Sequence, residues 1–512
     1  MELWSFYFFA KLFLHYKEYI KFDVLWNLAF ALFLIIPLSP KFRFRRAVLT
    51  VKALVAFVAA VALLWHDTWF PPPWEAASML QAQGIPSREY ILNFLGRFYN
   101  PDAFMVLGGL FAVTYLASKF LRMTTLVLMV LIALAPLRVF GQPDGQGIGA
   151  SVDAFFDAED MRRVHFKKPV AGAPDFDVVV LHICSLAWDD LKAAKMENNP
   201  LWGQFDLLFT SFNTVTSYSG PALIRLMKAN CGQPRHENLY SESPPECYLF
   251  PTLERMGFTT QAILNHDGVY GNFAGEMASF AKVHGQPMDA KGVPTPQRMF
   301  DNTPIHDDYQ TLLRWWTHRL ASDDPAVALY YNTVSLHDGS HWADEPEWWK
   351  RAQDAQYKEF LSKLLQDLSR FLKTLEDSGR KVVVIFVPEH GRAVRGSAIQ
   401  PAGLRDIPLP PITLAPMGIK IIGKERGGAP FRQKVVEKPV SHFAIAHTLA
   451  QFLEKSPYGE EGAWPSRAFM EGIPQTDFLA ENQSAIVVRV EGKLYYFGKE
   501  KRWMEVAGRE LE

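Results

Sequence analysis

Four apolar stretches crowd into the first 137 residues of this chain, and they constrain its fold more than any other feature. They are Val24–Leu38, Ala47–Leu64, Ala103–Ser118 and Thr124–Leu137. Each has roughly 15 to 18 residues, which is at the short end of what spans a bilayer. One such stretch alone could be a buried core helix, but four in series, flanked by aromatic residues, favour membrane spans. We therefore predict a membrane domain in residues 1-137 with about four transmembrane helices.

The short connections between these stretches carry basic residues, which predict the orientation. The first connection holds Lys41–Arg46, and the connection before the fourth stretch holds Lys119 and Arg122. Short basic connections stay on the cytoplasmic side of a membrane. The connection Asp67–Asn100 and all residues after Leu137 are then expected outside the cytoplasm.

The opening segment Met1–Phe22 is rich in aromatic residues but is interrupted by Lys11, Lys17 and Lys21. It lacks a small-residue cleavage site, so we do not expect a removable signal peptide. We predict an amphipathic helix that lies at the membrane interface. If this segment spanned the membrane instead, the number of spans would be five and the N-terminus would change sides.

Charge and cysteine content narrow the function classes. The formal net charge is −1, and no run of Lys or Arg is long enough to follow a phosphate backbone, so we expect no nucleic-acid partner. Three cysteines, Cys184, Cys231 and Cys247, lie after the apolar stretches. An odd number in an external domain is consistent with one disulfide and one remaining thiol, without showing which cysteines pair.

Residues 176-512 are predicted to form an α/β domain with a central, mostly parallel sheet. Short continuous apolar runs alternate with helical patterns, and such runs are typical of parallel strands covered on both faces. Gln356–Asp377 keeps a helical period and is followed by Gly379. Residues 138-175 are predicted to be a linker that partly packs on this domain. The predicted strands are Phe176–Ile183, Leu207–Asn213, Ala262–Asn265, Val327–Leu336 and Val382–Val387, with a hairpin of Ile486–Val490 and Lys493–Phe497 near the C-terminus.

Several reactive side chains follow these predicted strands. Cys184 ends the first strand, His337 follows the fourth, and Glu389 and His390 follow the fifth. Ser219 comes shortly after the second strand. The carboxyl ends of parallel strands meet at one edge of an open sheet, where ligands bind. Because thiolate, imidazole and carboxylate are ligands that zinc prefers, the sequence predicts a zinc site with a hydroxyl beside it.

Ser219 precedes a helical pattern that has Pro221 in its first turn. The serine oxygen would then lie at the positive end of a helix dipole, which favours a phosphate or an alkoxide. Each residue also has an ordinary explanation: Ser219 as a helix N-cap, Cys184 as core packing, and Glu389 with His390 as a solvated turn. Their joint occurrence at strand ends favours a functional site.

Four motifs in this half of the chain also match the pattern of a known family. They are Asp177–Val180 running into Cys184 and Ser185, Thr216–Pro221, Leu336–Gly339 and Val387–Gly391. Together they resemble the cellulose phosphoethanolamine transferases of the bacterial cellulose synthase system, which belong to the alkaline-phosphatase superfamily. The resemblance covers essentially the whole chain, including membrane spans before an external catalytic domain. The serine and Glu-His motifs are specific in combination, whereas either one alone is weak.

The resemblance implies that Cys184, Ser219, Glu389 and His390 surround one zinc ion, Zn2+, with Ser219 as the nucleophile. In the wider superfamily the first ligand is usually a carboxylate and the last pair is Asp-His, so this chain departs from the lipid A-modifying relatives. The resemblance also implies that His337 is the general acid toward the departing lipid oxygen. The same residue would later act as the base for the acceptor hydroxyl.

Five further positions are assigned only by the resemblance. Tyr218 and Arg405 are expected to line the site, and a guanidinium suits a developing phosphoryl charge. Cys231 and Cys247 match a cysteine pair presumed to form a disulfide, which would leave the third cysteine free to bind zinc. His442 falls where relatives carry another site histidine, but the helix after it explains this residue equally well.

The function that the resemblance implies is transfer of phosphoethanolamine from phosphatidylethanolamine to glucose C6 hydroxyls of cellulose, through a covalent serine intermediate. The implied location is the bacterial inner membrane, multi-pass, with the catalytic domain in the periplasm beside the cellulose synthase complex. Two alternatives stay open. The first is another enzyme of the same superfamily, which modifies lipid A or another envelope glycan or transfers the group to water. The second is a non-catalytic membrane scaffold of the synthase complex. The residue chemistry alone does not distinguish ethanolamine from another head group.

Overall fold

The chain separates into two compact units, which are described one at a time. The computed structural model describes residues 2–17, 19–36, 45–68, 87–96, 101–140, 145–169, 174–283, 291–397, 399–424, 432–458, 465–498 and 501–506. Most of Lys41–Arg46 and of Asp67–Asn100, on which the predicted orientation rests, lies outside these residues. The N-terminal unit comprises Met1–Ile85, Leu92–Pro143 and Gly396–Pro401, and the C-terminal unit comprises Pro86–Ile91, Asp144–Arg395 and Ala402–Glu512.

Helices dominate the first 140 residues, and helices alternate with strands after them. The described helices are α1 Glu2–Tyr16, α2 Val24–Ile35, α3 Arg45–Asp67, α4 Arg88–Gly96, α5 Pro101–Ala117, α6 Met123–Phe140, α7 Gly145–Asp160, α8 Trp188–Ala194, α9 Ser219–Met227, α10 His236–Leu239, α11 Leu249–Arg255, α12 Phe273–Ser279, α13 Asp308–Ala321, α14 Gln353–Asp377, α15 Pro410–Thr413, α16 His442–Glu454 and α17 Arg467–Gly472. The described strands are β1 Asp177–Ile183, β2 Leu207–Asn213, β3 Thr259–Leu264, β4 Gln297–Arg298, β5 Pro304–Ile305, β6 Val327–Thr333, β7 His341–Trp342, β8 Val382–Pro388, β9 Leu414–Ile422, β10 Lys434–Val436, β11 Leu479–Glu481, β12 Ile486–Val490, β13 Lys493–Phe497 and β14 Trp503–Glu505.

The N-terminal unit pairs its buried charges internally. Helices α1, α2, α3 and α6 share an apolar core that includes Phe8. Beside this core, Lys11 Nζ lies 2.7 Å from Asp67 Oδ2, and both side chains are almost fully buried. Asn27 bonds both of them, at 2.9 Å and 2.8 Å. The interfacial position of Met1–Phe22 stays a prediction. Lys11, which interrupts the apolar sequence of this segment, has its counter-charge, Asp67, inside the unit.

One helix of the described residues, Arg46–Asp67 within α3, is long and apolar enough to cross a membrane by length and composition. It has 22 residues with a mean hydropathy of 2.5, and only 11% of its most apolar window is buried. Many large apolar side chains of this helix are exposed, among them Phe57 at 64%, and an apolar surface of this extent is expected to be covered by a partner or by lipid. The other three predicted spans coincide with shorter apolar helices, Val24–Ile35, Pro101–Ala117 and Met123–Leu134.

The C-terminal unit is built on a seven-stranded sheet of order β10-β2-β9-β8-β1-β6-β3. Strands β1, β3, β6 and β8 run parallel, as do β2 and β10, and β9 is antiparallel to both of its neighbours. Six of the seven strands therefore run in one direction, and the sheet is mixed. A smaller sheet, β11-β12-β13-β14, follows, and the predicted hairpin of Ile486–Val490 and Lys493–Phe497 forms its centre.

Helices cover both faces of the large sheet, which explains why its strands read as continuous apolar runs. Alternate residues of β1 point to opposite faces. Val178 and Val180 pack with α9, α11 and α16 in one core, whereas Val179 and Leu181 pack with α13 and α14 in the other. All seven residues of β1 are buried. The five predicted strands thus all exist, although the strand predicted to reach Leu336 ends at Thr333.

Residues 138-175, predicted to be a linker that partly packs on the next domain, contain a helix that the prediction did not include. Helix α7 occupies Gly145–Asp160 within this range, and the C-terminal unit begins at Asp144. Ile148, Val152 and Phe156 are buried against the small C-terminal sheet. The glycines of α7 obscured a helix that is held by this packing rather than by intrinsic helix propensity.

A disulfide joins Cys231 to Cys247, which confirms the pairing that the resemblance implied. Cys184 is the free cysteine, and it is buried.

Candidate metal and nucleophile site

Cys184, Glu389 and His390 meet at the carboxyl ends of two adjacent strands. Cys184 follows β1, and Glu389 and His390 follow β8, which pairs with β1 in parallel from Asp177 to Ile183. One thiol, one carboxylate oxygen and one imidazole nitrogen from these residues all lie within 4.8 Å of one another, and all three residues are buried. The two strand ends therefore bring three of the four predicted ligands together.

Ser219, the fourth predicted ligand, is the first residue of α9 and not its N-cap. The N-cap is Tyr218, which is extended and makes no side-chain cap bond. The Ser219 hydroxyl instead lies 3.3 Å from His390 Nε2 and 3.6 Å from Cys184 Sγ. Ser219 is therefore not a helix cap. Its hydroxyl oxygen faces two of the other candidate ligands, His390 and Cys184.

The donor set fits a zinc ion. Glu389 is fully buried, and its Oε2 has no hydrogen-bond partner among the described residues although it lies 3.7 Å from His390 Nε2. Burial raises the pKa of Glu389, and burial followed by the nearby Glu389 charge raises the pKa of the Cys184 thiol to about 12. Acids desolvated in this way are stabilised as anions by a bound cation. A thiolate, a carboxylate and an imidazole are a set that zinc accepts.

The orientation of His390 is compatible with this role. Its Nδ1 lies 2.9 Å from the Gly391 carbonyl, so a proton on Nδ1 leaves the Nε2 lone pair free on the side of Ser219. Burial, followed by the Arg405 charge, holds the pKa of His390 well below its usual range. The imidazole is therefore neutral, which is the form that binds metals.

Arg405 provides the cation of the site. Its Nη1 donates to Ser185 Oγ at 3.4 Å and lies 3.0 Å from His390 Nδ1, a contact that is not a hydrogen bond when Nδ1 carries its proton. The Arg405 backbone is held in turn, because its carbonyl accepts hydrogen bonds from Ser217 Oγ and from Asn482 Nδ2. A guanidinium fixed beside a candidate ligand can bind a phosphoryl oxygen without reorganisation.

Tyr218 and His337 flank this centre. Tyr218 donates its hydroxyl to Asp406 at 2.6 Å, and burial with the Asp406 charge raises the pKa of the phenol well above its usual range. His337 lies between two aromatic rings, 5.5 Å from Tyr270 and 5.9 Å from Phe300. Burial, followed by the Arg405 charge, lowers the pKa of His337 to about 4. Its imidazole is thus neutral before a substrate binds.

His442 lies apart from the three clustered ligands. It is the first residue of α16, its ring packs edge-on against Phe212 at 5.3 Å, and it is 4% exposed. Burial lowers its pKa to about 3, and its Nε2 has no hydrogen-bond partner among the described residues. The group of three that can share an ion does not include His442.

Several residues of this region were not predicted from the sequence. Asn332 in β6 donates to Glu389 Oε1 at 2.5 Å, and His182 in β1 lies 3.7 Å from the same oxygen. Both are polar residues inside buried apolar strands, which was an available signal. Glu276 in α12 lies against Gly220, and no sequence pattern indicated that contact.

Two solved structures have a partly similar chain trace. A protein in the alkaline phosphatase superfamily from Vibrio parahaemolyticus matches 72% of this chain and 88% of its own, with 13% identity and a TM-score of 0.47. The lipooligosaccharide phosphoethanolamine transferase EptA from Neisseria meningitidis matches 87% of this chain and 95% of its own, with 13% identity and a TM-score of 0.41.

Sequence comparison gives a much stronger match. The "Cellulose biosynthesis protein BcsG" of Escherichia coli strain K12 is 34% identical, over 96% of this chain and 94% of that protein. The protein of the same name from Salmonella typhimurium strain LT2 matches with the same identity and coverage. Family models of the BcsG N-terminal and C-terminal domains match residues 4–136 and 140–503. The chain therefore belongs to the BcsG family of cellulose biosynthesis proteins.

Proposed function

We propose that this protein is a zinc-dependent transferase of the alkaline-phosphatase superfamily. It moves phosphoethanolamine from phosphatidylethanolamine to the C6 hydroxyls of glucose units in cellulose. One observation carries the proposal: the Ser219 hydroxyl, at the first turn of α9, lies within 3.6 Å of both Cys184 Sγ and His390 Nε2. Membership of a cellulose biosynthesis family supports the choice of acceptor.

Cys184, Glu389, His390 and the Ser219 oxygen are the residues that would hold the zinc ion. When bound there, zinc supplies a lowered pKa for the serine hydroxyl and positive charge beside the phosphoryl group. Arg405, near His390 Nδ1, would contact the same phosphoryl oxygens.

In the first half-reaction, Ser219 Oγ, which has already released its proton to solvent, attacks the phosphorus of phosphatidylethanolamine as an alkoxide. The Oγ–P bond forms, and the bond from phosphorus to the diacylglycerol oxygen breaks. That oxygen takes a proton from His337, so that neutral diacylglycerol leaves. Without substrate, burial lowers the pKa of His337 to about 4. The negative charge of the bound phosphodiester raises this pKa, so that His337 carries the proton when the lipid is bound.

In the second half-reaction, the C6 oxygen of a glucose unit attacks the same phosphorus. His337, now neutral, removes the hydroxyl proton as the new C6–O–P bond forms. The Oγ–P bond breaks, and the Ser219 oxygen returns to its starting state. The two steps share one phosphorus position, so donor and acceptor are used in turn.

We further propose that the protein is a multi-pass protein of the bacterial inner membrane, with its catalytic unit in the periplasm beside the cellulose synthase complex. The apolar helix Arg46–Asp67 and three shorter apolar helices support the membrane part. The Cys231–Cys247 disulfide supports the oxidising side of the membrane. A donor that is itself a membrane lipid gives a reason for the anchor.

The test is the intact mass of full-length protein after incubation with Zn2+ and phosphatidylethanolamine. Wild type should gain the mass of one phosphoethanolamine group and lose it again when cellooligosaccharide is added. Ser219→Ala should gain nothing. Ser211→Ala, which replaces a half-buried serine of β2, is the matched control and should behave as wild type.

Three outcomes contradict the proposal in different ways. No adduct on folded, zinc-loaded wild type, with no phosphorylated glucan formed either, would favour a scaffold. An adduct on Ser219→Ala would place the nucleophile elsewhere. An adduct that transfers to lipid A or water but not to cellooligosaccharide would keep the chemistry and replace the acceptor.

A further inference from the structure

The carboxylate of Glu276 lies directly beside the nucleophile helix. A Cβ added to Gly220 would lie 1.9 Å from Glu276 Oε2, so the carboxylate fills the space that a side chain at position 220 would need. A Cα–Cβ bond is about 1.5 Å long, which puts Oε2 within roughly 3.5 Å of Gly220 Cα. Since consecutive Cα atoms are about 3.8 Å apart, Oε2 is at most about 7 Å from Ser219 Cα.

This carboxylate has no partner in the part of the chain that the structure describes. Oε2 is buried, and it accepts no hydrogen bond, so it does not cap the amide groups of α9. No ion pair with a described Lys, Arg or His reaches it within the usual distance. Burying part of a carboxylate without a hydrogen-bond donor or a cation beside it costs folding free energy. Such a group is expected where a ligand supplies the missing charge.

The segment that carries Glu276 also forms a wall of the site. Tyr270, just before α12, packs its ring 5.5 Å from that of His337, while Glu276 lies against Gly220. One short segment thus contacts both the nucleophile helix and the histidine proposed to handle protons. A substrate phosphorus beside Ser219 would therefore lie close to this segment.

We propose that Glu276 binds the ammonium group of the donor head group and so selects phosphatidylethanolamine over phospholipids with neutral head groups. This inference rests on the proposed function. Four bonds separate phosphorus from nitrogen in phosphoethanolamine, so the ammonium reaches about 5 Å from the phosphorus. A carboxylate at this place repels a plain phosphodiester, whereas a zwitterionic one brings a cation to offset it.

The test measures binding rather than turnover, so that it does not depend on the chemistry. Full-length, zinc-loaded Ser219→Ala protein is titrated with dihexanoyl phosphatidylethanolamine and with dihexanoyl phosphatidylglycerol. The two lipids carry the same phosphodiester and differ in the ammonium. We expect the first to bind about 10- to 100-fold more tightly, the range for a hydrogen bond between charged groups.

Adding Glu276→Gln should reduce this preference to less than about threefold, mainly by lowering the affinity for the lipid that carries the ammonium group. Glu242→Gln, which changes an exposed acid, is the matched control and should keep the preference. Glu276→Asp keeps the negative charge but shortens the side chain by one methylene group, so we expect an intermediate preference for the ammonium lipid. That variant also decides the matter if Glu276→Gln does not fold.

Two results overturn the inference. One is equal binding of the two lipids to the parent protein, and the other is a preference that survives in Glu276→Gln. Failure of the proposed function looks different, because it is the absence of a serine adduct in the Ser219-containing enzyme. A clear ammonium preference without an adduct would keep Glu276 as a head-group site and reject the transfer step.

Discussion

Asn332 is expected to set the zinc affinity of the site although it is not a ligand. Its Nδ2 donates to Glu389 Oε1 at 2.5 Å and lies 3.2 Å from the His182 carbonyl. Its Oδ1 is held by His266 Nε2 at 2.9 Å, so the amide has one orientation. The perturbation is Asn332→Ala, which removes the donor that fixes the Glu389 carboxylate and leaves the buried ligands themselves unchanged.

The magnitude follows from the nature of this hydrogen bond. A hydrogen bond to a charged group contributes about 1.5–3 kcal/mol. One tenfold change in affinity corresponds to about 1.4 kcal/mol, so complete loss of the bond weakens zinc binding roughly 10- to 100-fold. Because Glu389 is fully buried, water does not easily replace the missing donor.

The assay is competition for zinc between full-length protein and a chromophoric chelator at one pH. Asn265→Ala is the matched control, because Asn265 is a buried amide at the end of β3 whose bonds go to Thr333 and Ser335 instead of a ligand. This control should lose thermal stability comparably and keep its zinc affinity within about threefold of wild type.

Unchanged zinc affinity in Asn332→Ala would refute the reasoning that the amide positions Glu389. An equal loss of affinity in Asn265→Ala would refute it as well, because the effect would then come from general loosening of the sheet edge.

Four further predictions concern His337 and the stability of the C-terminal unit. His337→Ala should slow adduct formation from phosphatidylethanolamine about 10²- to 10⁴-fold but barely affect a nitrophenyl ester of phosphoethanolamine, whose leaving group needs no proton; equal losses in stopped-flow assays would contradict this. Because burial lowers the His337 pKa to about 4, the wild-type rate with the lipid should also rise as the pH falls from 8 towards 5. Replacing Cys231 and Cys247 together by Ala opens a loop with a sequence separation of 16 and should cost about 3 kcal/mol, seen as a melting temperature lower by roughly 4 °C. Arg319→Met should destabilise by about 3 kcal/mol, because it removes the closer cation from buried Asp177 and leaves only the partly exposed Arg380, 3.4 Å away; adding Asp177→Asn should recover most of the loss in denaturant titrations.

The sequence predicted the parallel strands well because each is a short, continuous apolar run. It did not reveal β9, which lies in the middle of the sheet. This strand contains Pro416, Gly418 and Lys420, all of which count against a central strand. The structure accommodates the proline where the pairing with β2 shifts register, between the pairs of Met417 and Ala415. Gly418 leaves room for the Phe205 ring, which a Cβ would approach to 2.5 Å.

Cys184, Glu389 and His390 were predictable because each comes directly after a strand, and the carboxyl ends of parallel strands share one edge of the sheet. Asn332 and His182 lie within strands, and their relation to Glu389 depends on the order β8-β1-β6, which no local pattern gives. The charges of the first helix depend on the fold in a similar way. Lys11 reads as a break in an apolar segment until Asp67, at the end of another helix, is seen to pair with it.

Glu276 is the residue of this region that sequence patterns were least able to predict. Chemistry at the phosphorus needs groups whose residue types are diagnostic, so a thiol, a Glu-His pair and a serine before a helix can be found in sequence. Selection of a head group needs only one charge at one distance, and any surface acid has the right residue type. The information lies in the contact between Gly220 and Glu276 and in the missing partner of Oε2. Under the proposed function, donor specificity is therefore expected to depend on this one carboxylate beside the nucleophile helix, and not on the motifs.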